Sequence, residues 1–400
     1  MISLTIFQNL PGLPTAMTMR VLIAFDKFKD ALSASEACAI ASSALSEKYP
    51  DWELDLCPLA DGGEGLTDAL VQASGGKVIR RRATGPRGIS TEAKMGLVTW
   101  SDISMPARGK ISAAIGSLCD DAKVAVIEMA SASGLALLRP GLRDPWWTTS
   151  LGTGELMRAA SLADVSAILL GVGGSATNDL GFGALAALGL SFQDISGASI
   201  PVPCPATWHS IRTIYGQVDL PPVLILCDVR NPLLGSEGAV ATFSLQKGAR
   251  TEDRWLLESR TESMATSLCN AFSQPISIAE VSGAGAGGGI AFGLMVAAGA
   301  KLVPGFDLVA NWLNLPSRIL AADLILTGEG RFDATSLSGK GPGSLMMEAS
   351  RAGKPVEVFA GSVGLPNQTG LNAIAPSWLP LGKALQRTPE LLRAAILECL

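Results

Sequence analysis

The alternation of short β-rich runs with helical segments is the feature that most restricts the fold of this 400-residue chain. A β-rich run over residues 21–25 is followed by Ser33 and Glu36, spaced as a capping box that opens a helix. A second run over 54–58 precedes a helical segment over about 65–74, and the alternation returns beyond Gly289. This pattern is typical of α/β proteins with a parallel sheet.

The central part of the chain is less regular. Runs over 77–83 and 92–98 predict strands, but longer loops join them. A regular pattern at both ends of an irregular centre predicts a discontinuous domain with a large insertion. We therefore expect one α/β domain formed by residues 20–66 and 282–400, and a second, inserted α/β domain formed by residues 67–281.

Two uncharged stretches resemble membrane signals. Residues 1–19 lack a basic start and contain Pro11 and Pro14, so we expect an unstructured extension there. Residues 281–300 contain seven glycines and fit a buried loop and helix better than a membrane span. A net charge of −5 gives no basis for binding nucleic acid or an anionic membrane. We expect a protein that binds neither.

The rarest titratable residue narrows the chemistry. The single histidine, His209, excludes a zinc site with two histidines and argues against a Ser-His-Asp mechanism. The seven cysteines are spread along the chain without a Cys-x-x-Cys pair, which is typical of a reducing compartment. A cytoplasmic protein is expected, with chemistry that depends on carboxylates, Lys, Arg, hydroxyls and backbone amides.

Polar segments of two kinds recur where predicted strands end, the position at which open α/β sheets bind ligands. The glycine-rich turns over 173–177 and 283–289 open helices and would present backbone N–H groups to an anion. The other kind places carboxylates beside Lys or Arg, as in Asp26 with Lys29, Asp228 with Arg230, and Glu329 and Asp333 with Arg331. Anion-binding loops, cations and acids without histidine are typical of phosphoryl transfer.

Each motif also has a structural interpretation. Glycine-rich turns are weak signals, because neither a dinucleotide-binding Gly-x-Gly-x-x-Gly context nor a Walker P-loop is present. The 283–289 segment could serve close packing only. Single side chains also have structural interpretations. Asp26 and Asp228 could cap local turns through their own backbone, and Asp179 could stabilise a helix N-terminus. Asp61 could only shape a turn, and Lys340 could be a solvated loop lysine.

Taken in order over residues 20–365, these segments resemble the motifs of the type-1 glycerate kinase family. The resembling segments are 26–29, 60–65, 127–135, 148–155, 173–181, 227–235, 246–249, 283–289, 327–333 and 339–342. The chain departs from the family's pattern at two positions and in a longer segment around residues 99–121. Asp30 stands where a small residue or glycine is common, and Ser338 where histidine is frequent.

The resemblance implies a flavodoxin-like parallel-sheet domain interrupted by a second α/β domain, with the site in the cleft between them. The implied activity is ATP-dependent phosphorylation of D-glycerate with Mg²⁺, at the 2-hydroxyl to give 2-phosphoglycerate. Glycerate and ATP would then be the partners, and a homodimer is compatible with the sequence. A kinase for another small hydroxy acid or polyol, and a non-catalytic anion-binding sensor, remain alternatives.

Roles for individual residues follow from this resemblance as hypotheses. Asp179 or Asp26 would be the general base, with Lys29 beside it. If Asp179 is the base, Asp179→Asn should lower kcat at least about 100-fold with little change in melting temperature. Substrate would be held by Arg331, Asp61, Glu64, Ser175, Thr177 and Asn178. ATP would be bound by Gly173, Gly174, Gly283, Gly285, Gly287 and Lys340, and Mg²⁺ by Asp228, Glu329 or Asp333.

Overall fold

A computed structural model describes residues 18–60, 62–337, 341–365 and 370–400. The chain divides into two compact units. The first combines the chain up to Ala60 with Leu313–Leu400, and the second is Asp61–Trp312. Of the extension expected over residues 1–19, residues 1–17 lie outside the described part. Within that part, no helix has the length and apolar character needed to cross a bilayer.

Strands and helices alternate along the described chain. The strands are β1 (Arg20–Phe25), β2 (Glu53–Leu56), β3 (Lys77–Thr84), β4 (Ser90–Thr99), β5 (Lys123–Glu128), β6 (Ala167–Gly171), β7 (Ser191–Gln193), β8 (Thr213–Tyr215), β9 (Val223–Leu226), β10 (Lys301–Val303), β11 (Leu324–Phe332), β12 (Val356–Val363) and β13 (Leu371–Ala373). The α-helices are α1 (Ala34–Lys48), α2 (Leu66–Ala73), α3 (Met105–Ile115), α4 (Met129–Ser133), α5 (Leu151–Leu162), α6 (Phe182–Ala187), α7 (Ala239–Phe243), α8 (Arg254–Ala271), α9 (Ile290–Ala298), α10 (Gly305–Trp312), α11 (Leu315–Ala321), α12 (Gly341–Arg351), α13 (Leu381–Gln386) and α14 (Thr388–Cys399).

The first unit is built on a five-stranded sheet in the order β13-β12-β11-β1-β2, with every neighbouring pair parallel. Counted along the unit's own chain, this order is 2-1-3-4-5, the flavodoxin-like arrangement. Val21, Ile23 and Phe25 of β1 are fully buried and pack with apolar residues of α1 and α14. The sheet therefore aligns the carboxyl ends of β1 and β11 along one edge.

The second unit contains a six-stranded sheet in the order β10-β9-β6-β5-β4-β3. Strands β5, β6, β9 and β10 run parallel, whereas β3 and β4 are antiparallel to their neighbours. The central strand β6 is buried along its whole length. A two-stranded β7-β8 sheet accompanies it. The expected α/β class is thus confirmed.

The observed unit boundaries differ from the expected ones. They fall after Ala60 and after Trp312, whereas the sequence pattern placed them near residues 66 and 282. The second difference has a clear cause, because β10 pairs with β9 and Phe292 of α9 is buried in the core of the second unit. Everything from residue 282 to Trp312 thus belongs to the second unit.

The first helix begins as the sequence predicts. The Ser33 hydroxyl accepts a hydrogen bond from the Glu36 N–H at 3.2 Å, and the Glu36 carboxylate accepts one from the Ser33 N–H at 2.8 Å. Just before this capping box, Asp30 has a φ of +62°. Such a conformation favours glycine, and among other residues Asp tolerates it well. This backbone geometry accounts for the glycine that the resemblance leads us to expect at this position.

Strand β11 is longer than expected. The sequence pattern predicts a strand only over 324–326 followed by a loop, but β11 continues to Phe332. Glycine permits the extension, because a Cβ on Gly328 would lie 1.7 Å from the Phe359 carbonyl oxygen of β12. Glu329 and Arg331 consequently lie on a strand, with their side chains on the same face of the sheet.

Helices α5 and α6 pack closely through glycine. A Cβ on Gly154 of α5 would lie 2.3 Å from the Ala184 carbonyl oxygen of α6. The backbone cannot yield at that point without moving α6, which follows the glycine-rich loop after β6. This contact therefore positions the end of that loop.

Gly154→Ala should lower the free energy of unfolding by at least about 1–3 kcal/mol, the usual cost of overpacking a core. The matched control is Gly109→Ala in α3, where an added Cβ meets nothing within 4 Å. The control should be neutral or stabilising by up to about 1 kcal/mol, because alanine is the better helix former. Urea denaturation of both variants measures the difference, and equal stability would contradict the packing argument.

Candidate active site

The loop that follows β6 is fixed by backbone hydrogen bonds. The Gly173 N–H donates to the Gly62 carbonyl at 3.2 Å, and the Ala176 N–H donates to the Ser133 carbonyl at 2.9 Å. Gly62 lies in the loop before α2, and Ser133 is the last residue of α4, the helix that directly follows β5. Residues 173–179 are therefore held at the carboxyl ends of β5 and β6.

The two glycine-rich segments lie in backbone contact within the second unit. A Cβ on Gly288 would lie 1.8 Å from the Thr177 carbonyl oxygen, and Gly288 has a φ of +73°. The Leu180 N–H donates to the Gly288 carbonyl at 3.2 Å. Only glycine fits at this contact. The 283–289 segment thus packs closely and also places its backbone against the 173–179 loop.

Polar side chains line the loop. Ser175 and Thr177 are buried, and so is Asn178, whose side-chain oxygen Oδ1 has no hydrogen-bond partner within the described residues. An unpartnered buried acceptor is costly unless a ligand or water satisfies it. Glu64 lies close by, since a Cβ on Gly174 would be 3.5 Å from its Oε1. Glu64, Ser175, Thr177 and Asn178 are therefore gathered in one unit.

Asp179 has the surroundings of a structural carboxylate. Its Oδ2 accepts hydrogen bonds from the Ser150 N–H at 2.7 Å, the Ser150 hydroxyl at 2.8 Å and the Gly183 N–H at 3.2 Å, while Oδ1 accepts from the Gly181 N–H at 3.1 Å. It is completely buried. Burial raises the pKa of Asp179, and the hydrogen bonds from Ser150 oppose that rise. Asp179 thus caps the start of α6, which is the structural interpretation that the sequence offered for this residue.

Asp228 is also engaged with backbone. The Phe306 N–H at the start of α10 donates to both of its carboxylate oxygens, at 3.1 and 3.0 Å. A Cβ on Gly305 would lie 3.0 Å from Oδ2 of the same carboxylate. Asp228 therefore caps the first turn of α10, which is distant in sequence, and not a local turn of its own backbone as the structural interpretation expected.

Lys247 is a buried cation to which the sequence analysis assigned no role. Its ammonium donates to the Thr177 carbonyl at 2.7 Å, and only 2% of the residue is exposed. Burial lowers the pKa of Lys247 to about 7, while the charge of Asp179 opposes the fall. The available signal was the 246–249 motif, but a lysine in a turn ordinarily predicts a solvated side chain.

In the first unit, Asp26 lies directly after β1. Its N–H donates to the Gly328 carbonyl at 2.9 Å, and its Oδ1 accepts from the Lys27 N–H at 2.7 Å. A Cβ on Gly341, at the start of α12, would lie 3.7 Å from Oδ2. Asp26 is buried, whereas Lys29 is exposed. The loop after β1 thus carries an inward carboxylate and an outward cation.

The end of β11 contributes a second charged group to this edge. Arg331 Nε lies 3.0 Å from Asp333 Oδ2. Asp333 Oδ1 accepts hydrogen bonds from the Thr335 hydroxyl at 2.7 Å and its N–H at 2.9 Å. These Thr335 bonds, with Arg331 adding a smaller effect, hold the pKa of Asp333 below its usual value. Asp26, Lys29, Glu329, Arg331 and Asp333 therefore share the carboxyl ends of β1 and β11.

The expected metal ligands do not form a cluster. Asp228 belongs to the second unit, whereas Glu329 and Asp333 belong to the first. Among the described residues, no three His, Cys, Asp or Glu side chains are grouped so that they could hold a metal ion. Two other candidate residues, Asp61 and Lys340, lie outside the described ranges. The assignment of Asp228, Glu329 or Asp333 to Mg²⁺ therefore stays a prediction.

The single histidine lies in a separate surface pocket of the second unit. His209 Nδ1 is 2.9 Å from the Ala206 carbonyl oxygen. The pocket has a volume of about 470 Å³, and Trp146 and Trp147 also line it. The Arg260 guanidinium lies 5.1 Å above the Trp146 ring. These contacts give His209 a hydrogen bond to backbone, consistent with a structural residue.

Comparisons with known proteins agree with this organisation. A family model described as the glycerate kinase family matches residues 21–398. The chain is 36% identical over 369 residues to the glycerate 2-kinase of Escherichia coli K12, covering 89% of this chain and 90% of that protein. It is 34% identical over 383 residues to the glycerate kinase of Bacillus subtilis 168, covering 93% and 94%.

A solved structure is similar across the same length. The crystal structure provisionally assigned as glycerate kinase 2 from Salmonella typhimurium LT2 has a TM-score of 0.72 and 35% sequence identity, and the match covers 96% of this chain and 97% of that one. The α/β fold and these relatives define a phosphotransferase that uses an alcohol group as acceptor. The chain belongs to the glycerate kinase family, which confirms the resemblance noted in the sequence.

The burial of Asp179 changes the expected result of its substitution. Asp179→Asn would turn an amide N–H₂ toward N–H and hydroxyl donors, and should lower the free energy of unfolding by about 1–3 kcal/mol. The same substitution at Asp194, which accepts similar bonds from Ser196 and Ala198 on the surface, should cost less. Urea denaturation compares the two. Unchanged stability with at least about 100-fold lower turnover would instead support Asp179 as the base.

Proposed function

We propose that the protein transfers the γ-phosphoryl group of ATP to D-glycerate, at the 2-hydroxyl, giving 2-phosphoglycerate. The observation that supports this most directly is the backbone contact of the two glycine-rich loops at Thr177 and Gly288. Such loops present N–H groups to anions. The name of the Escherichia coli relative, glycerate 2-kinase, favours the 2-position.

The second unit would bind the phosphate groups of ATP. Gly173, Gly174, Gly283, Gly285 and Gly287 lie on the two contacting loops. The exposed backbone at Gly174 would face the charged ligand, whereas the N–H groups of Gly173 and Gly285 already donate to backbone carbonyls and would shape the loops. The unpartnered Oδ1 of Asn178 would gain a donor from a bound hydroxyl group. Ser175, Thr177 and Glu64 would complete the surroundings of the ligand.

The first unit would supply the acid–base chemistry. We assign the general base to Asp26, because Asp179 already accepts bonds on both oxygens and is completely buried. A carboxylate base would accept the proton of the glycerate 2-hydroxyl as its oxygen attacks the γ-phosphorus and the bond to ADP breaks. Lys29 and Arg331 would bind the glycerate carboxylate or the transferred phosphoryl group.

Magnesium would enter with the nucleotide. Mg²⁺ in kinases is commonly held by substrate phosphates with one or two carboxylates and several waters. Asp228, Glu329 or Asp333 would supply such a carboxylate. When bound, Mg²⁺ would neutralise charge on the ATP phosphates.

The free thiols of all seven cysteines support a reducing compartment such as the cytoplasm.

Purified protein with ATP, Mg²⁺ and D-glycerate should form ADP and 2-phosphoglycerate, with the phosphate position read by phosphorus NMR. L-glycerate, lactate and glycerol serve as competing acceptors, and a reaction without acceptor measures hydrolysis. Product phosphorylated at the 3-position would overturn the choice of hydroxyl. Phosphate release without acceptor would identify a hydrolase, and ATP binding without turnover would identify a sensor.

Asp26→Asn should lower kcat at least about 100-fold, the usual contribution of a general base. The matched control is Asp323→Asn. Asp323 also accepts a backbone N–H, from Arg20 at 2.8 Å, but it precedes β11 at the opposite edge of the sheet. Steady-state kinetics of the control should equal those of the wild type. If Asp26→Asn keeps wild-type turnover, the base lies elsewhere.

A further inference from the structure

Lys247 is aimed into the protein by its own backbone. It follows α7 in a turn in which the Lys247 N–H donates to the Ser244 carbonyl at 3.1 Å. The next residue, Gly248, has a φ of +96°, and a Cβ there would lie 2.2 Å from the Arg143 carbonyl oxygen. The hydrogen bond to Ser244 fixes the turn before Lys247, and the close approach to Arg143 fixes Gly248 after it. The Lys247 side chain is therefore held against the 173–179 loop.

The ammonium of Lys247 is costly where it lies. A buried charge is normally paired with a carboxylate, yet no carboxylate of the described residues forms an ion pair with Lys247 within 4.0 Å. Its hydrogen-bond partner is the uncharged Thr177 carbonyl. An apolar side chain of similar volume would often stabilise such a site equally well or better. A buried lysine here calls for a reason other than stability.

That reason can be found in the peptide group to which Lys247 binds. The Thr177 carbonyl belongs to the same peptide as the Asn178 N–H, and hydrogen bonding at one end of a peptide strengthens the other end as a donor. The same bond fixes the orientation of Asn178, whose Oδ1 is buried without a partner. The positive charge also lies directly behind a loop that would bind phosphate.

We propose that Lys247 is a positioning residue for the nucleotide: its ammonium holds the Thr177–Asn178 peptide so that the Asn178 backbone N–H donates to the phosphate groups of ATP. The inference rests on the proposed function, since it assumes that this loop binds ATP. Burial lowers the pKa of Lys247 to about 7, which agrees with a group kept buried despite the cost to its charged form. Asn178 acts on the ligand, and Lys247 acts through Asn178.

Lys247→Met tests the proposal, because it removes the charge and the donor while retaining much of the volume. The affinity for Mg²⁺-ATP, measured by isothermal titration calorimetry, should fall at least about tenfold, and KM for ATP should rise by a similar factor with little change in KM for glycerate. The midpoint of urea unfolding should stay the same or rise. A purely structural role predicts the reverse, a loss of stability.

Lys301→Met is the matched control. The Lys301 ammonium also donates to a backbone carbonyl at 2.7 Å, that of Ala114, but at the amino end of β10 and on the surface. This variant should bind ATP as the wild type does. A second test is made in the Asn178→Ala background, which lacks the side chain but keeps the peptide N–H. Lys247→Met should weaken ATP binding there by a similar factor, because the effect runs through the peptide group.

The outcomes separate the inference from the proposed function. Wild-type ATP affinity in Lys247→Met would overturn the inference even if glycerate is phosphorylated. Conversely, a wild type that binds ATP but leaves glycerate unchanged would reject the proposed function, while weaker ATP binding by Lys247→Met would still support the inference. Lys247→Gln removes the charge but keeps an amide N–H₂ donor. Loss of the folded state in both Lys247→Met and Lys247→Gln would assign Lys247 a structural role alone.

Discussion

The contact between the Thr177 carbonyl and Gly288 is the constraint on which the proposed nucleotide site depends. At this point two loops separated by about a hundred residues approach so closely that no side chain fits between them. The contact places the 173–179 loop against the 283–289 segment, while Lys247 binds the same carbonyl from another direction. Three distant parts of the chain therefore define the conformation of one peptide group.

Two buried carboxylates illustrate how position in the fold divides structural from chemical roles. Asp179 stabilises the start of α6 by accepting backbone and hydroxyl hydrogen bonds on both oxygens. Asp26 is also buried, but it lies where the parallel strands of the first unit end, beside the exposed Lys29. In a chain with one histidine, the distinction between such carboxylates decides which of them can exchange a proton with a ligand.

Local signals in the sequence predicted much of the fold. The first strand was predicted to within one residue, because the β-rich run over 21–25 stands directly before a helix start signal. The helix after Ser33 was predicted because capping is a local interaction. The extension of β11 was missed, since Gly328 and Gly330 signal a loop unless the neighbouring strands are known. Lys247 was missed for a similar reason: its partner lies 70 residues away.

The order of strands in the first unit has a consequence for synthesis of the chain. Strand β1 pairs with β2 nearby, but its other neighbour is β11, so that Val21 lies opposite Leu324. A nascent chain therefore carries an apolar strand that lacks one neighbour until β11 is made about 300 residues later, whereas every strand of the second unit is already available by then. Chaperones that shield exposed strand edges would act chiefly on the amino-terminal segment during this interval.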